Sequence, residues 1–464
     1  MCCGKVFSEV HRLTLFCREL PFYMMYHSGI QLFGGIHSMT RTSLFTCALL
    51  SLGLLTLPGC QSTSAPQSSN VAPTQVELAP LPPLAEAIWA PQQNAVSVPF
   101  TLLNNHILLD VTVNGGAPLT FLLDSGASTS FIAETINTQW MPLTSGDPVH
   151  LSGVGDGAKA LAYWLPNTRL GIGDLQLNEV TAIYLPLTAQ PFASRATSYF
   201  DGILGADAFN CCLVEIDYDA MQLTFHQNTA DQRQHFSNGN WQQLPLDVVR
   251  NAPYLTTTVT TTAGNKPARL LLDTGSNATM SLHGSQYPRP SASYQRSITG
   301  VNGDSQRALG LLPQVQLGET TLQQVPTYYA SHGKAAAPNV DGSLGNQVLR
   351  KFNQVYDFSG GNLWLQPNQN ATHPLRADRS GIQLLPHPRG AYVLNIDPAT
   401  QAQGFSLRRG DVLTRINGKH IKPSNFDSLR ALFRSEQHER LQICWQRAHA
   451  RHCADLKLEP KLTP

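Results

Sequence analysis

The feature that most constrains this chain is an internal repeat with a period of about 149 residues, the separation of Asp124 and Asp273. In each copy an apolar segment runs into an Asp-Ser/Thr-Gly tripeptide, with Leu119–Leu123 before Asp124 and Ala268–Leu272 before Asp273. Alternating apolar residues around a glycine-containing turn predict a β-hairpin in both copies. A self-similar pair of this size predicts two similar β-rich lobes.

Two further segments recur in the same order in both copies. A glycine-rich tip follows each aspartate by nearly thirty residues, and an Asp-Gly-x-Leu-Gly segment follows later, at Asp201 and at Asp341. We interpret the tips as flaps that close over a cleft, with tight surface turns as the alternative. We expect Asp201 and Asp341 to cap turns rather than to act in catalysis. The flap candidates are Gly153, Val154, Gly155, Gly300, Val301 and Gly303.

The paired aspartates suggest a specific chemistry. Peptide hydrolysis by activated water needs a base for the water and an acid for the amide, and two close carboxyls that share a proton supply both. We therefore predict Asp124 and Asp273 as the catalytic pair, which should titrate as a coupled pair. Because Ser276 replaces Ala127 in the second copy, we expect its hydroxyl to stabilise ionised Asp273 and the proton to reside on Asp124. The predicted supporting-loop residues are Ser125, Gly126, Thr274, Gly275 and Ser276.

These motifs, over about residues 100–368, resemble the retropepsin-like aspartic peptidase superfamily. The resemblance implies a mainly β fold, with two acid-protease β-barrel lobes in a pseudo-twofold arrangement. We expect lobe 1 over residues 96–230 and lobe 2 over 245–368. It further implies an endopeptidase that acts on peptide or protein substrates and needs no cofactor and no metal. Two alternatives remain open at this point: a catalytically silent peptide-binding lipoprotein, and lobes that pair only between two chains.

The N-terminal region is typical of export. Met39 and Arg41 precede an apolar run from Leu44 to Leu57, which has the length of a signal-peptide core. The following Leu-Pro-Gly-Cys60 resembles a bacterial lipobox, so residues 1–60 are predicted to be an upstream extension and a lipoprotein signal, with an uncleaved membrane anchor as the alternative. Lipidation of Cys60 would anchor the chain in the cell envelope facing the periplasm, and the following glutamine favours the outer membrane. Residues 61–95, rich in Ser, Pro and Gln, are predicted to form a flexible tether.

A C-terminal segment, residues 378–460, resembles a bacterial PDZ domain, a small α+β module. The resemblance rests on Gly381-Ile-Gln-Leu-Leu, Gly390-Ala-Tyr-Val-Leu-Asn-Ile and Gly410-Asp-Val-Leu followed by Ile416-Asn-Gly. It implies that a loop binds the carboxylate of a peptide C-terminus through its backbone amides. A purely structural or autoinhibitory appendage is the alternative. The predicted carboxylate loop consists of Gly390, Ala391, Tyr392 and Val393.

Cysteine positions and charge limit the remaining possibilities. Cys444 and Cys453 lie symmetrically about a plausible turn, which predicts a cross-strand disulfide; a zinc site with neighbouring histidines or two free thiols are the alternatives. The adjacent Cys211 and Cys212 are predicted to point to opposite faces of a strand and only to pack. A formal net charge of +1 creates no overall field to attract nucleic acid, so a nucleic-acid partner is not expected.

Overall fold

The computed structural model describes residues 81–139, 141, 146–151, 153, 155–192, 194–330 and 339–462. The predicted signal segment with Cys60, and the flap candidate Val154, lie outside the described residues. Within the described ranges, no helix combines the length and the apolar character needed to cross a membrane. The described chain is mainly β, as predicted, because its strands alternate buried and exposed side chains over long stretches.

The described residues of lobe 1 form twelve strands and one α-helix. In chain order these are β1 (Glu86–Ile88), β2 (Ala95–Pro99), β3 (Thr101–Leu103), β4 (His106–Val113), β5 (Pro118–Leu123), β6 (Phe131–Ala133), β7 (Pro148–Leu151), β8 (Ala160–Ile172), β9 (Leu175–Leu185), β10 (Gly202–Leu204), α1 (Ala206–Cys211), β11 (Cys212–Asp217) and β12 (Gln222–Gln227). Strand β1 pairs with β9, so the end of the predicted 61–95 tether is part of the lobe instead.

Lobe 2 repeats this arrangement after a connecting helix, α2 (Ala230–Ser237). Its elements are β13 (Gln242–Pro245), β14 (Asp247–Val249), β15 (Ala252–Thr261), β16 (Gly264–Asp273), β17 (Met280–Leu282), β18 (Ser293–Gly300), β19 (Gly303–Leu317), β20 (Thr320–Ala330), β21 (Gly342–Gly345), α3 (Asn346–Leu349), β22 (Phe352–Asp357) and β23 (Asn362–Pro367).

The two lobes are joined by a shared six-stranded sheet, ordered β13-β23-β22-β11-β12-β2. At its centre β11 of lobe 1 pairs antiparallel with β22 of lobe 2, with Glu215 opposite Val355. One continuous apolar core runs through both lobes and includes Phe121, Phe209 and Phe352. Burial of such large side chains stabilises the folded state by about 1.5–3 kcal/mol each, so the core fixes the lobes against each other.

The C-terminal module, residues 378–460, has its own apolar core around Phe426, Phe433 and Trp445. Its sheet is ordered β24-β25-β26-β28-β29, with β27 beside β26. The elements are β24 (Ile382–His387), β25 (Gly390–Ile396), α4 (Pro398–Gln401), β26 (Val412–Ile416), β27 (Lys419–His420), α5 (Phe426–Phe433), β28 (Arg440–Arg447) and β29 (Ala450–Lys457).

The prediction that residues 390–393 of this module form a carboxylate-binding loop is wrong. Gly390, Ala391, Tyr392 and Val393 lie in β25, an interior strand that pairs with β24 on one side and with β26 on the other. The amide of Val393 donates to the Asp411 carbonyl at 2.8 Å. Because these backbone groups belong to the sheet, they cannot bind the carboxylate of a peptide.

The cysteines form two disulfides among the described residues. Cys444 in β28 lies opposite Cys453 in β29, and the two are joined, which confirms the predicted cross-strand disulfide. Cys211 and Cys212 are also joined to each other, so the prediction that they point to opposite faces of a strand was wrong. The physical reason is that Cys211 ends α1 and only Cys212 begins β11, so the strand alternation does not apply to both.

Candidate active site

Each catalytic candidate lies at the end of a strand that is paired with the later Gly-x-Leu-Gly segment. Strand β5 runs parallel to β10, and the Asp124 amide donates to the Leu204 carbonyl at 3.0 Å. In lobe 2, β16 runs parallel to β21, with Asp273 opposite Gly345. The shared local pattern therefore sets both aspartates at equivalent points of their lobes.

Reciprocal hydrogen bonds link the two aspartate loops across the lobe boundary. The Ser125 amide donates to the Thr274 hydroxyl at 2.9 Å, and the Thr274 amide donates to the Ser125 hydroxyl at 3.1 Å. Each hydroxyl in turn donates to a carbonyl of the opposite lobe, Ser125 to Leu272 at 2.7 Å and Thr274 to Leu123 at 3.0 Å. Both side chains are fully buried. This arrangement gives the predicted supporting residues Ser125 and Thr274 a role across the lobe boundary and holds the loops in one fixed relation.

The linked loops bring the two carboxyls together within one chain. A methyl group in place of the Gly126 hydrogen would lie 3.2 Å from Cγ of Asp273 and 3.3 Å from Oδ1 of Asp124. A methyl group at Gly275 would overlap the Asp124 carboxyl. The two acid groups therefore face the same small space. Gly275 leaves no room for a side chain, and a methyl at Gly126 would fit only if a carboxyl shifted by a few tenths of an ångström.

The pKa values of both carboxyls are raised, and for the same main reason. Burial raises the pKa of Asp124 to about 6, against the opposing effect of the Gly126, Ala127 and Gly275 amides. Burial, together with the charge of Asp124, raises the pKa of Asp273 to about 8. Desolvation disfavours a charged carboxylate, and a neighbouring negative charge disfavours it further. One proton shared by the pair is therefore the natural state over a broad pH range.

The backbone amides favour Asp124 as the ionised member of the pair, opposite to the prediction from Ser276, because three amides act on Asp124 and two on Asp273. Asp124 accepts from the Gly126 amide at 2.8 Å and from the Ala127 amide at 3.1 Å, and these bonds favour its ionised form. Ser276 acts on Asp273 through its backbone amide, while its hydroxyl accepts from the Ala278 amide at 3.4 Å. The expected side-chain contribution of Ser276 is therefore replaced by a backbone contribution that both lobes have.

The two glycine-rich tips meet each other. The flap hairpin of lobe 1 is β7 with β8, and that of lobe 2 is β18 with β19. Gly157 donates its amide to the Asn302 carbonyl at 2.8 Å, and Gly153 donates to the Asn302 side-chain oxygen. Gly155 also lies against the backbone of Asn302 and Gly303. Of the predicted flap residues, Gly153, Gly155, Gly300, Val301 and Gly303 are thus brought to one place.

Asn302 is a residue that sequence reasoning missed. Its side-chain amide donates to the carbonyls of Leu151 at 3.1 Å and Ala158 at 3.3 Å, both in the opposite flap. It is only 5% exposed. Asparagine is common in tight hairpin turns for local reasons, so the sequence pointed to a turn and not to a contact between flaps.

His106 is a second residue that was missed. Its ring is buried, hydrogen-bonds the backbone of Gly275, and has Nδ1 2.7 Å from the hydroxyl of Tyr199. Burial lowers the pKa of His106 to about 4, so the ring is neutral above that pH. A lobe 1 histidine therefore supports the aspartate loop of lobe 2, a contact that no local pattern around residue 106 indicates.

Asp201 and Asp341 bind backbone amides, as predicted, but these amides belong to strands rather than to the turns that they were expected to cap. Asp201 accepts from the Thr120 amide at 3.1 Å, and Asp341 accepts from the Arg269 amide at 2.9 Å. Residues 120 and 269 occupy equivalent places in β5 and β16. Both aspartates therefore fix the strand that leads to the candidate catalytic carboxyl of their own lobe.

One family model matches parts of both lobes. Residues 109–208 and 259–348 match the family model described as aspartyl protease, and each matched region contains one aspartate loop. No curated protein matches the chain significantly. Among solved structures that match, the aspartic proteinase from Irpex lacteus is 13% identical, with 60% of this chain and 99% of that chain covered and a TM-score of 0.37. The two lobes are aspartic-protease-like β domains.

Proposed function

We propose that the chain is an aspartic endopeptidase whose reactive centre is the Asp124 and Asp273 pair. The observation that carries this proposal is the reciprocal Ser125 and Thr274 hydrogen bonding, which holds both carboxyls at one place inside one chain. The family match of the two lobes supports the same chemistry. Pairing within the chain favours a single-chain enzyme over lobes that must meet between two molecules.

The asymmetry of the pair assigns a role to each carboxyl. Ionised Asp124 takes a proton from a water molecule, whose oxygen then bonds to the peptide carbonyl carbon. Protonated Asp273 donates its hydrogen to the carbonyl oxygen as negative charge develops there. The resulting tetrahedral intermediate collapses when the amide nitrogen receives the proton held by Asp124 and the carbon–nitrogen bond breaks. The carbonyl oxygen returns its proton to Asp273, so the pair ends with one proton, as it began.

The flaps complete the proposed site. Their tips contact each other. We expect closed tips to keep water out of the cleft, which strengthens each electrostatic contact inside it. A substrate must displace the tips and then be covered by them again. An extended peptide is the substrate shape that suits a cleft between two β lobes.

The proposed activity is tested with fluorescein-labelled casein and four purified proteins: wild type, Asp124→Asn, Asp273→Asn and Asp110→Asn. Asp110 is an exposed carboxyl in β4 and serves as the matched control. We expect either active-site variant to lose about 10²–10⁴-fold in rate, since each removes one proton-transfer group, while Asp110→Asn keeps the wild-type rate. Absence of casein cleavage by wild type would instead support the silent peptide-binding protein, and full cleavage by both active-site variants would show that the pair is not the reactive centre.

We also propose that the protein works in the cell envelope, attached to the membrane through a lipid on Cys60 and facing the periplasm. The lipobox-like sequence before Cys60 and the two disulfides support this placement, because disulfides persist in oxidising compartments. Labelling of cells with radioactive palmitate tests it. Wild type should incorporate the label into the membrane fraction, and Cys60→Ala should not.

A further inference from the structure

The outer edge of flap 2 is covered by the C-terminal module. Strand β18 is the last strand of its sheet, so every second backbone amide and carbonyl points away from β19. Side chains of the module bind these groups. The Ser297 amide donates to Oδ1 of Asp397 at 2.6 Å, and the Thr299 amide donates to Oε1 of Gln383 at 2.8 Å. Side chains thus take the place of a neighbouring strand.

Gln383 makes a two-point contact with the flap. Besides accepting from the Thr299 amide, its Nε2 donates to the Thr299 carbonyl at 3.0 Å. Asn395 adds a bond from its Nδ2 to the Thr299 hydroxyl at 2.9 Å. The amide group of a glutamine matches the donor and acceptor spacing of a backbone peptide, so this contact has the geometry of a short β ladder.

A buried ion cluster reinforces the same edge. Arg296 of β18 is only 6% exposed and bonds Asp397 at 2.6 Å, Glu459 at 2.5 Å and the Asp378 carbonyl at 2.6 Å. Removal of one partner from a buried pair is strongly destabilising, because a charge is left without a partner. Flap 2 cannot move away from the module without breaking this cluster.

The tip of flap 2 is fixed as well, through the contacts of Asn302 with flap 1. Movement of flap 2 therefore controls the opening of both flaps. We propose that the C-terminal module restrains flap 2 in its closed position, with Gln383 and Asp397 as positioning residues that set how often the cleft opens to a substrate. The kinetic part of this proposal rests on the proposed peptidase function.

A restraint of this kind has a defined kinetic signature. The module contacts flap 2 in the closed free protein, and the same contacts are available when the flap closes over a substrate. Weakening these contacts destabilises the closed free protein and the closed substrate complex equally, so the affinity for substrate and the rate of the chemical step stay unchanged. The flaps, however, open more frequently. Substrate access then becomes faster, and kcat/KM rises without a change in kcat.

The chain offers a matched control for Gln383. Gln403 makes the same two-point contact inside the module, accepting from the Lys457 amide at 2.9 Å and donating to the Lys457 carbonyl at 2.8 Å. Gln403→Ala therefore removes the same chemistry without touching a flap. Both variants should lower the thermal midpoint by the same small amount, so a difference between them in flap behaviour reports on the flap alone.

Hydrogen exchange followed by mass spectrometry tests the restraint without any substrate. Full-length protein with Asp273→Asn is compared with the same protein carrying Gln383→Ala or Gln403→Ala, so that self-digestion does not alter the samples. We expect exchange in residues 293–300 to rise about tenfold with Gln383→Ala, since two hydrogen bonds are lost, and to stay unchanged with Gln403→Ala. An equal change in both variants, or none in either, would overturn the proposal.

Cleavage of fluorescein-labelled casein by proteins with intact aspartates tests the kinetic part. Gln383→Ala should raise kcat/KM about threefold to tenfold at constant kcat, and Gln403→Ala should match wild type. A lower or unchanged kcat/KM for Gln383→Ala would overturn the restraint on substrate access. If wild type cleaves no casein while the exchange result holds, the peptidase proposal fails and the restraint on the flap stands.

Discussion

The two lobes are alike at the aspartate loops and differ along the flaps. The hydrogen bonds that Ser125 makes across the lobe boundary mirror those of Thr274. The two loops have the same geometry because two carboxyls can share a proton only in such an arrangement. Flap 1 meets flap 2 at its tip, whereas flap 2 also carries the C-terminal module along its outer edge. A duplicated unit is thus held constant where the copies meet, and is free to acquire new contacts where they do not.

A smaller difference lies behind the loops. In lobe 1 Ile203 of β10 is opposite Phe131 of β6, and in lobe 2 the corresponding pair is Ser343 and Ser281. The two serine hydroxyl oxygens lie 2.9 Å apart, so each hydroxyl has the other as a hydrogen-bond partner. The serine in the second Gly-x-Leu-Gly segment is therefore compatible with an intact lobe 2.

The largest expected effect is on kcat, and it concerns Gly126 and Gly275, the equivalent glycines of the two aspartate loops. We expect Gly275→Ala to lower kcat on casein by about 100-fold, because the added methyl displaces the Asp124 carboxyl and a shift of about 1 Å in a reacting group has that effect. Gly126→Ala should lower kcat by a smaller factor, since its methyl would be 3.2 Å from Cγ of Asp273 and would require only a small shift of that carboxyl. Equal losses would mean that the two loops are more alike than the geometry indicates.

The cross-lobe bonds give the next largest effect. Thr274→Val keeps the shape but leaves the Ser125 amide and the Leu123 carbonyl without partners, so we expect the free energy of unfolding to fall by about 2 kcal/mol or more. Thr274→Ser, which copies lobe 1, should cost about 1 kcal/mol or less because the hydroxyl is retained. Urea denaturation measures both. A Val variant as stable as the Ser variant would show that the bonds do not hold the lobes together.

The position of the proton is tested by the pH dependence of stability. Burial raises the pKa values of Asp124 to about 6 and of Asp273 to about 8, above the ordinary 3.8. Between pH 4 and 8 the folded state binds more protons than the unfolded state, so the free energy of unfolding decreases as pH rises. This contribution is fully present below the ordinary carboxyl pKa, and its last part is lost as pH passes the folded-state pKa of Asp273.

Urea denaturation between pH 6 and 8 locates the effect. Asp273→Asn should remove most of the decrease in the free energy of unfolding over this range. Asp124→Asn should remove only the part that arises because the negative charge of Asp124 raises the pKa of Asp273. Asp110→Asn, the exposed control, should keep the wild-type slope. If Asp124→Asn abolished the decrease and Asp273→Asn left it intact, the proton would reside on Asp124, as the Ser276 comparison first suggested.

The smallest effect is expected for the serine pair of lobe 2. Ser343→Ala removes one partner of the Ser281 hydroxyl and should lower the free energy of unfolding by about 1 kcal/mol. The double variant Ser281→Ala with Ser343→Ala should lose little more than Ser343→Ala, because it leaves no unsatisfied hydroxyl and additionally removes only the 3.2 Å bond from the amide of residue 343 to the Ser281 hydroxyl. Additive losses in the double variant would argue against a self-satisfied pair.

Much of the site followed from the sequence because its signals are local and repeated. The duplicated motif placed Asp124 and Asp273 at equivalent strand ends, and the symmetric spacing of Cys444 and Cys453 predicted their disulfide. The prediction for Gly390–Val393 failed because strand order within a sheet depends on partners distant in the sequence. An interior strand and an edge strand can have the same apolar pattern.

The sequence by itself determined the mainly β class, the two lobes and the residues of the aspartate pair, since periodicity and repetition are properties of the chain alone. Only the tertiary structure decided which backbone amides face each carboxyl, how Asn302 joins the flaps and where Gln383 binds β18. These depend on which donors and charges approach from other parts of the chain. Such approaches are set by packing, because a hydrogen bond forms wherever the fold brings a donor within about 3 Å of an acceptor.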